Sequence, residues 1–298
     1  MFDKPKGGTE LMYDELMKRV LDIDVERFSI FNYLPQADFT KKTIFWNQLS
    51  YDQGAIQPLN NPKIIDKIDH FVFVSHWQAE TYRKIFNIPG YKTHVFKNAC
   101  IGVKEKTSTN PKKIKICYTS TPWRGLDVLL TAWELLAPKN CELHVFSSCH
   151  IYGKEFGQTD FQYQELYDKC RELPGVVYRG SVPNEQLRNE LPTFDILAYP
   201  NTFEETSCIA VIEALSAGLR VITSNLGALP ETTEGHARMY PYLMDKKVHA
   251  SYFADLLQEE IEYVRSGQFD FSQQINIYKP RWSWDSRIKE WNEFFKKI

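Results

Sequence analysis

The sequence predicts an α/β fold organised by doubly wound parallel sheets, and three observations carry that expectation. From Ile114 onward, strand-like and helix-like segments alternate at short intervals, the rhythm of parallel strands joined by crossover helices. Two short runs, Phe71–Ser75 (FVFVS) and Ile196–Tyr199 (ILAY), are almost wholly apolar, as strands covered on both faces are. Each run leads into a helical pattern that begins near hydroxyl residues able to cap it.

Taken in order, Gly7-Gly8-Thr9 leads into a helix over Glu10–Val20, with Leu11, Leu16 and Val20 on one side. A glycine pair there lets a ligand approach the backbone, although a plain turn is the simpler reading of the pair alone. Val25–Ile30 and Lys42–Trp46 resemble strands, Ser75 caps a helix over His76–Phe86, and His94–Phe96 is a strand running into Lys97-Asn98-Ala99. Lys104–Lys113 is polar and aperiodic and reads as a linker. Beyond it come strands over Ile114–Thr119, Glu142–Ser147, Val176–Tyr178, Ile196–Tyr199 and Arg220–Thr223. Helices over Leu126–Leu136, Gln162–Arg171 and Glu185–Glu190 separate the first of these. At the carboxyl end Trp284, Ile288, Trp291 and Phe295 recur on one helical face, which suits a helix docked on an apolar core better than a stacking surface for nucleic acid.

Composition narrows the function. An apolar content of 43% and a charged content of 25% are ordinary for a globular chain, and a formal charge of −2 offers no basis for bulk nucleic-acid binding. No apolar run approaches the roughly 20 residues that span a bilayer, and MFDKPKGGTE has no signal-peptide core. The six cysteines form no C-x-x-C pair and read as reduced thiols of a cytoplasmic protein. The histidines show no metal-ligand spacing, so no metal is expected. Asp22-Ile23-Asp24 has the form of a metal-holding Asp-x-Asp but lacks a second acidic cluster and reads as a solvated turn.

The chain is organised around Asn201 to Pro230, NTFEETSCIAVIEALSAGLRVITSNLGALP. Glu204 and Glu205 lie on a loop, Thr206 or Ser207 is placed to cap the helix that follows, and Glu213 falls about two turns inside that helix. A helix opening at the carboxyl end of a parallel strand aims free amides and a positive dipole into the crevice where such sheets bind ligands. Carboxylates there suit hydroxyl groups, while amides and a nearby cation suit phosphate. The loop Ser120-Thr121-Pro122-Trp123-Arg124-Gly125 opens at the same edge, so Arg124 can reach the same crevice. A ligand with both features is a nucleotide sugar; solvated loop acids and a surface arginine are the plain alternative.

These residues add up to a resemblance. From about Ile114 to Thr232 the chain resembles the carboxyl-terminal domain of the retaining glycosyltransferases of family 4, which have the GT-B fold. Glu205 and Glu213 match the family's two glutamates with seven residues between them. Gly180-Ser181-Val182-Pro183 resembles its loop by the nucleotide base, Gly227-Ala228-Leu229-Pro230-Glu231 its glycine–proline turn, and Arg124-Gly125 its Lys/Arg-Gly pair. Gly7-Gly8 resembles the first-domain glycine loop, where acceptor and diphosphate meet, and Asn98-Ala99 the Asn-Gly turn near the domain boundary.

The resemblance implies two Rossmann-like domains facing a cleft. Residues 1–103 would form an acceptor-side domain and residues 113–275 a nucleotide-sugar domain, with a terminal helix at 281–298 crossing back to the first. It implies that Glu205 and Arg124 act in catalysis. Glu213, the backbone from Thr206 through Ser207 and Cys208 to Ile209, Ser120, Gly180, Ser181, Val182 and Asn98 would hold the donor. Two departures stand out. Nothing before Gly7 supplies the usual first strand, so the half is trimmed or the chain is a fragment. Gln48, in Trp46-Asn47-Gln48, sits where many members carry a donor-site histidine, with Asp52 the nearest ionisable substitute. The expected activity is metal-independent transfer, with retention, from a UDP-, GDP- or ADP-sugar to a carbohydrate, lipid-linked or protein acceptor, with peripheral membrane contact open. A weak or inactive nucleotide-sugar-binding protein and a sugar-nucleotide epimerase are the alternatives.

Overall fold

A computed structural model describes residues 7–20, 25–149 and 158–298. The acidic turn at Asp22 and Asp24 lies outside them.

The amino-terminal part runs α1 (Gly8–Arg19), β1 (Phe28–Phe31), β2 (Lys42–Asn47), α2 (Pro62–Lys67), β3 (His70–Phe73), α3 (His76–Phe86) and β4 (Thr93–Val95). Its strands form one parallel sheet in the order β1-β2-β3-β4. The start expected at Val25 is displaced, because Val25–Arg27 close a 3-10 turn before the strand begins. Ser75 caps α3 as its sequence suggests, accepting a hydrogen bond from the Gln78 amide at 3.0 Å.

The second part runs β5 (Ile114–Tyr118), α4 (Leu126–Leu136), β6 (Cys141–Val145), α5 (Gln164–Glu172), β7 (Val176–Tyr178), α6 (Asn184–Glu190), β8 (Ile196–Tyr199), α7 (Ile209–Ala217), β9 (Arg220–Ser224), α8 (Leu229–Thr233), β10 (Arg238–Tyr240) and α9 (Lys246–Arg265). Its strands form a parallel sheet in the order β10-β9-β8-β5-β6-β7. The order reverses between β5 and β8, which pair through Ile116–Ile196 and Cys117–Leu197. Connections leave such a point toward opposite faces and open a crevice at the carboxyl ends of its two strands. Ile196–Tyr199 is buried at every position, as its unbroken apolar run requires.

Two helices finish the chain, α10 (Phe271–Arg281) and α11 (Trp284–Lys297). The apolar face read from the tail docks α11 on the amino-terminal core, beside Met12, Leu16, Phe28, Ile44 and Val72. Trp291 meets Trp46 with ring centroids 5.0 Å apart, and Phe295 meets Phe28 at 5.2 Å. The chain thereby returns to its first sheet and straps the two parts together. No helix among the described residues is long and apolar enough to cross a membrane.

Lys104–Lys113 is not the free linker its composition suggests. Lys106 is 4% exposed, its Nζ lies 2.7 Å from Asp195 Oδ1, and it donates to the Phe194 carbonyl at 2.8 Å. Its amide donates to the Ala217 carbonyl. The polar run thus contains one buried cation that pins it to the second sheet. Replacing one member of a buried pair leaves the other charge without compensation. Lys106→Met is therefore expected to destabilise the fold by about 3–5 kcal/mol, read from the midpoint of urea unfolding.

Candidate active site

Loops from the carboxyl ends of β5 and β8 meet at the point where the sheet order reverses. The β5 loop turns at Gly125, whose φ is +107° and whose added Cβ would lie 2.0 Å from the Pro200 carbonyl oxygen. Only a residue without a side chain allows that approach. It seats the preceding residue, Arg124, over the Phe203 ring at 4.6 Å, with Nη1 donating to Glu205 Oε1 at 3.0 Å.

Glu205 is 3% exposed rather than a solvated loop acid. The Tyr199 hydroxyl, at the last position of β8, donates to the same Oε1 at 2.5 Å. Its backbone bridges to Gly227, and its carbonyl accepts from the Ala228 amide at 2.7 Å. The glycine–proline turn thus supports the acidic loop from behind.

The helix after this loop starts later than expected. α7 opens at Ile209 with Cys208 as its cap residue, in a left-handed conformation (φ 79°) uncommon for a residue with a side chain. No side chain among the described residues caps it, so neither expected hydroxyl does. Thr206 Oγ1 instead donates to the Gln48 carbonyl at 2.9 Å, and Ser207 Oγ is buried without a hydrogen-bond partner among the described residues. The later start places Glu213 about one turn inside α7, not two. It is 7% exposed, with Arg188 Nη1 of α6 3.9 Å from Oε1.

The amino-terminal part closes the other side. Gly7 caps α1, and Gly8 approaches Ile209 so closely that a Cβ on it would lie 2.8 Å from Ile209 Cδ1. The amino termini of α1 and α7 therefore meet. Across the same seam the Tyr51 hydroxyl donates to Glu204 Oε2 at 3.1 Å, and that carboxylate raises the tyrosine's pKa. The Glu231 carboxylate accepts from the His76 amide at 2.9 Å and the Trp77 amide at 3.3 Å, covering the start of α3. Lys97 and Arg281 both reach Glu234, at 3.1 and 3.3 Å.

The structure thus brings together Gly7, Gly8, Gln48, Arg124, Glu205 and the segment Thr206–Ile209. Gln48 contributes its carbonyl, while its side-chain Nε2 is buried without a partner among the described residues, as is Asn98 Oδ1. Ser120 lies half-buried beside the Tyr118 hydroxyl. Gly180, Ser181 and Val182 precede α6, whose Arg188 reaches toward Glu213. Asp52 is exposed. Tyr199, Tyr51 and Arg188 also reach this site and belong to no motif in the sequence; a polar-tipped residue ending a buried strand is the available sign for Tyr199.

Burial raises the Glu213 carboxyl to about 7 from an ordinary value of 4.5, against the lowering effect of Arg188. Between those values the folded chain holds a proton that the unfolded chain has released. This group's contribution to stability therefore falls as pH rises from about 4.5 and levels off above about 7. Unfolding free energies of the protein and of Glu213→Gln, measured from pH 5 to 8, should show the unsubstituted protein losing ground to the variant across that window.

Residues 113–259 match the family described as Glycosyl transferases group 1. The phosphatidylinositol N-acetylglucosaminyltransferase GPI3 subunit of Saccharomyces cerevisiae is 24% identical over 197 residues, 66% of this chain and 41% of that protein. The chain thus spans about two-fifths of the length of this curated relative. A glycosyltransferase from Rickettsia africae superposes with a TM-score of 0.69 at 13% identity, over 100% of this chain and 83% of that one. Anabaena Alr3699/HepE, solved with UDP and glucose, gives a TM-score of 0.69 at 15% identity over 87% and 72% of the two chains. The two parallel sheets, the returning terminal helix and the matched segment together identify a chain that carries a Glycosyl transferases group 1 domain on the GT-B glycosyltransferase fold.

Proposed function

We propose that the protein is a retaining glycosyltransferase of family 4 that moves a sugar from a nucleoside diphosphate sugar to a hydroxyl acceptor without a metal ion. The observation that carries this reading is the meeting of a buried carboxylate, Glu205, with two helix amino termini at one seam. The carboxylate accepts from the transferred sugar's hydroxyls. Amides from Thr206 to Ile209 and the start of α1 face the diphosphate, whose departure builds negative charge. Fixed dipoles stabilise that charge without reorganising. Glu213 accepts from the ribose hydroxyls, in its ionised form. Arg124 serves both groups: Nη1 holds Glu205, and the guanidinium charge beside it favours the leaving phosphate.

UDP-sugars head the donor candidates, since HepE was solved with UDP and glucose; GDP- and ADP-sugars follow. A lipid-linked acceptor is favoured by the name of the Saccharomyces relative, ahead of carbohydrate and protein acceptors. The proposed working place is the cytoplasm, with peripheral membrane contact. One observation favours a second reading, a nucleotide-sugar-binding protein that does not turn over. Gln48 stands in the seam with no proton to exchange, and its side-chain amide is buried without a partner among the described residues.

The two readings separate in one experiment. A thermal-shift series with UDP-, GDP- and ADP-sugars should raise the melting temperature by a few degrees for the true donor near 100 Kd. Release of free nucleoside diphosphate with acceptor present marks the transferase. Because Glu205 is buried, Glu205→Gln is the conservative test; it should lower kcat about 100-fold or more with the melting temperature nearly kept. EDTA should leave turnover unchanged. Donor binding with no release in any acceptor mixture would favour the binding protein.

A further inference from the structure

We infer that Tyr199 is a positioning residue for Glu205: its hydroxyl and the Arg124 guanidinium converge on Oε1 and leave Oε2 as the oxygen that meets a sugar hydroxyl. The inference rests on the transferase reading and deepens it.

Both hydrogen bonds, 2.5 Å from Tyr199 and 3.0 Å from Arg124, end on the same carboxylate oxygen. No hydrogen bond among the described residues uses Oε2. A single hydrogen bond lets the carboxylate swing; two donors converging on one oxygen, Tyr199 from the end of β8 and Arg124 from the β5 loop, narrow that swing. Tyr199 is rigidly placed for this task. It ends β8, it is 1% exposed, and its ring packs 6.0 Å from that of Tyr118, the residue that ends the neighbouring β5.

Those two tyrosines differ in one respect. Tyr118, equally buried, satisfies its hydroxyl on the Thr121 backbone carbonyl at 2.7 Å, which is all a buried phenol needs. Tyr199 reaches a side chain on the acidic loop instead. Burial and the Glu205 carboxylate both oppose its ionisation, so it remains a hydrogen-bond donor at any working pH. The same bond that satisfies the tyrosine therefore aims the carboxylate, and the strand lends its stiffness to the loop.

The test is Tyr199→Phe, which keeps the ring and removes the donor, compared with Glu205→Gln and the double variant. Misplacing a reacting group by about 1 Å costs on the order of 100-fold, so kcat should fall 10- to 100-fold. The Kd for UDP, GDP or ADP, whichever the unsubstituted protein binds best, should stay within about twofold, since diphosphate contacts do not involve Oε2. The double variant should be no slower than Glu205→Gln alone, because both changes disable one device. If the phenylalanine variant does not fold, 4-fluorophenylalanine at 199 fills the hydroxyl's volume without donating and is read in the same way. Full turnover in a Tyr199 variant while Glu205→Gln is inactive overturns the inference and leaves the transferase reading standing. So does a loss of nucleotide affinity equal to the loss of kcat, which marks a purely structural tyrosine. If Glu205→Gln itself turns over normally, the transferase reading falls instead.

Discussion

The close approach of Gly8 to Ile209 is the constraint on which the rest of the structure depends. It brings the amino termini of α1 and α7, which belong to different sheets, into contact across the seam. Each terminus carries roughly half a positive charge and several amides without helical partners, and two facing each other repel unless something negative lies near. Nothing in either sheet alone would hold them there. The docking of α11 on the first core, the Thr206–Gln48 bond, the Tyr51–Glu204 bond and the Glu231 contact with α3 all work in the same direction. They hold the two parts so close that a Cβ at position 8 would have to push the tip of the Ile209 side chain aside.

Charge at the seam is arranged to match. Glu205 is buried, and a buried carboxylate without compensation costs several kcal/mol. Arg124 and Tyr199 compensate it on one oxygen, so the ion pair there is close to neutral as a unit. The two helix mouths remain the uncompensated positive features, and an anion is the ligand they favour. The neutral pair beside them is suited to hydroxyl groups. A diphosphate joined to a sugar is the ligand that satisfies both, which is the physical content of the proposal that the protein handles a nucleotide sugar.

Much of this was legible in the sequence because it depends on local pattern. The apolar run Ile196–Tyr199, the Ser75 cap and the single apolar face of the tail helix each follow from spacing that the chain states outright. What escaped reading depends on tertiary contact. Thr206 looks like a cap because hydroxyls often cap helices, yet here the Gln48 carbonyl from another sheet competes for it and Cys208 takes the cap position. Lys106 looks like a linker residue because lysines are rarely buried, and only the partner Asp195, far along the chain, makes its burial possible. For the same reason a solvated acid is the plain alternative for Glu205 when the loop is read alone. Its burial needs Arg124 and Tyr199, which approach from the β5 loop and from the end of β8.

Tyr199 shows why a functional side chain can hide inside a core strand. Its pattern reads as one more apolar position, since a phenol ring fills the same space as phenylalanine. Only its place as the last residue of β8 sets it apart, because there the buried hydroxyl reaches the acidic loop at the carboxyl edge of the sheet. Loops at such edges carry chemistry but are the least rigid part of a sheet. A carboxylate on a loop gains a fixed direction when a strand residue holds one of its oxygens, and the cost is low because a buried hydroxyl must find an acceptor in any case. On the proposed reading, what separates a transferase from a protein that merely retains its donor is this direction. A carboxylate free to turn would still bind hydroxyls, but it would not hold the sugar in the one orientation from which the diphosphate can leave and the acceptor can approach.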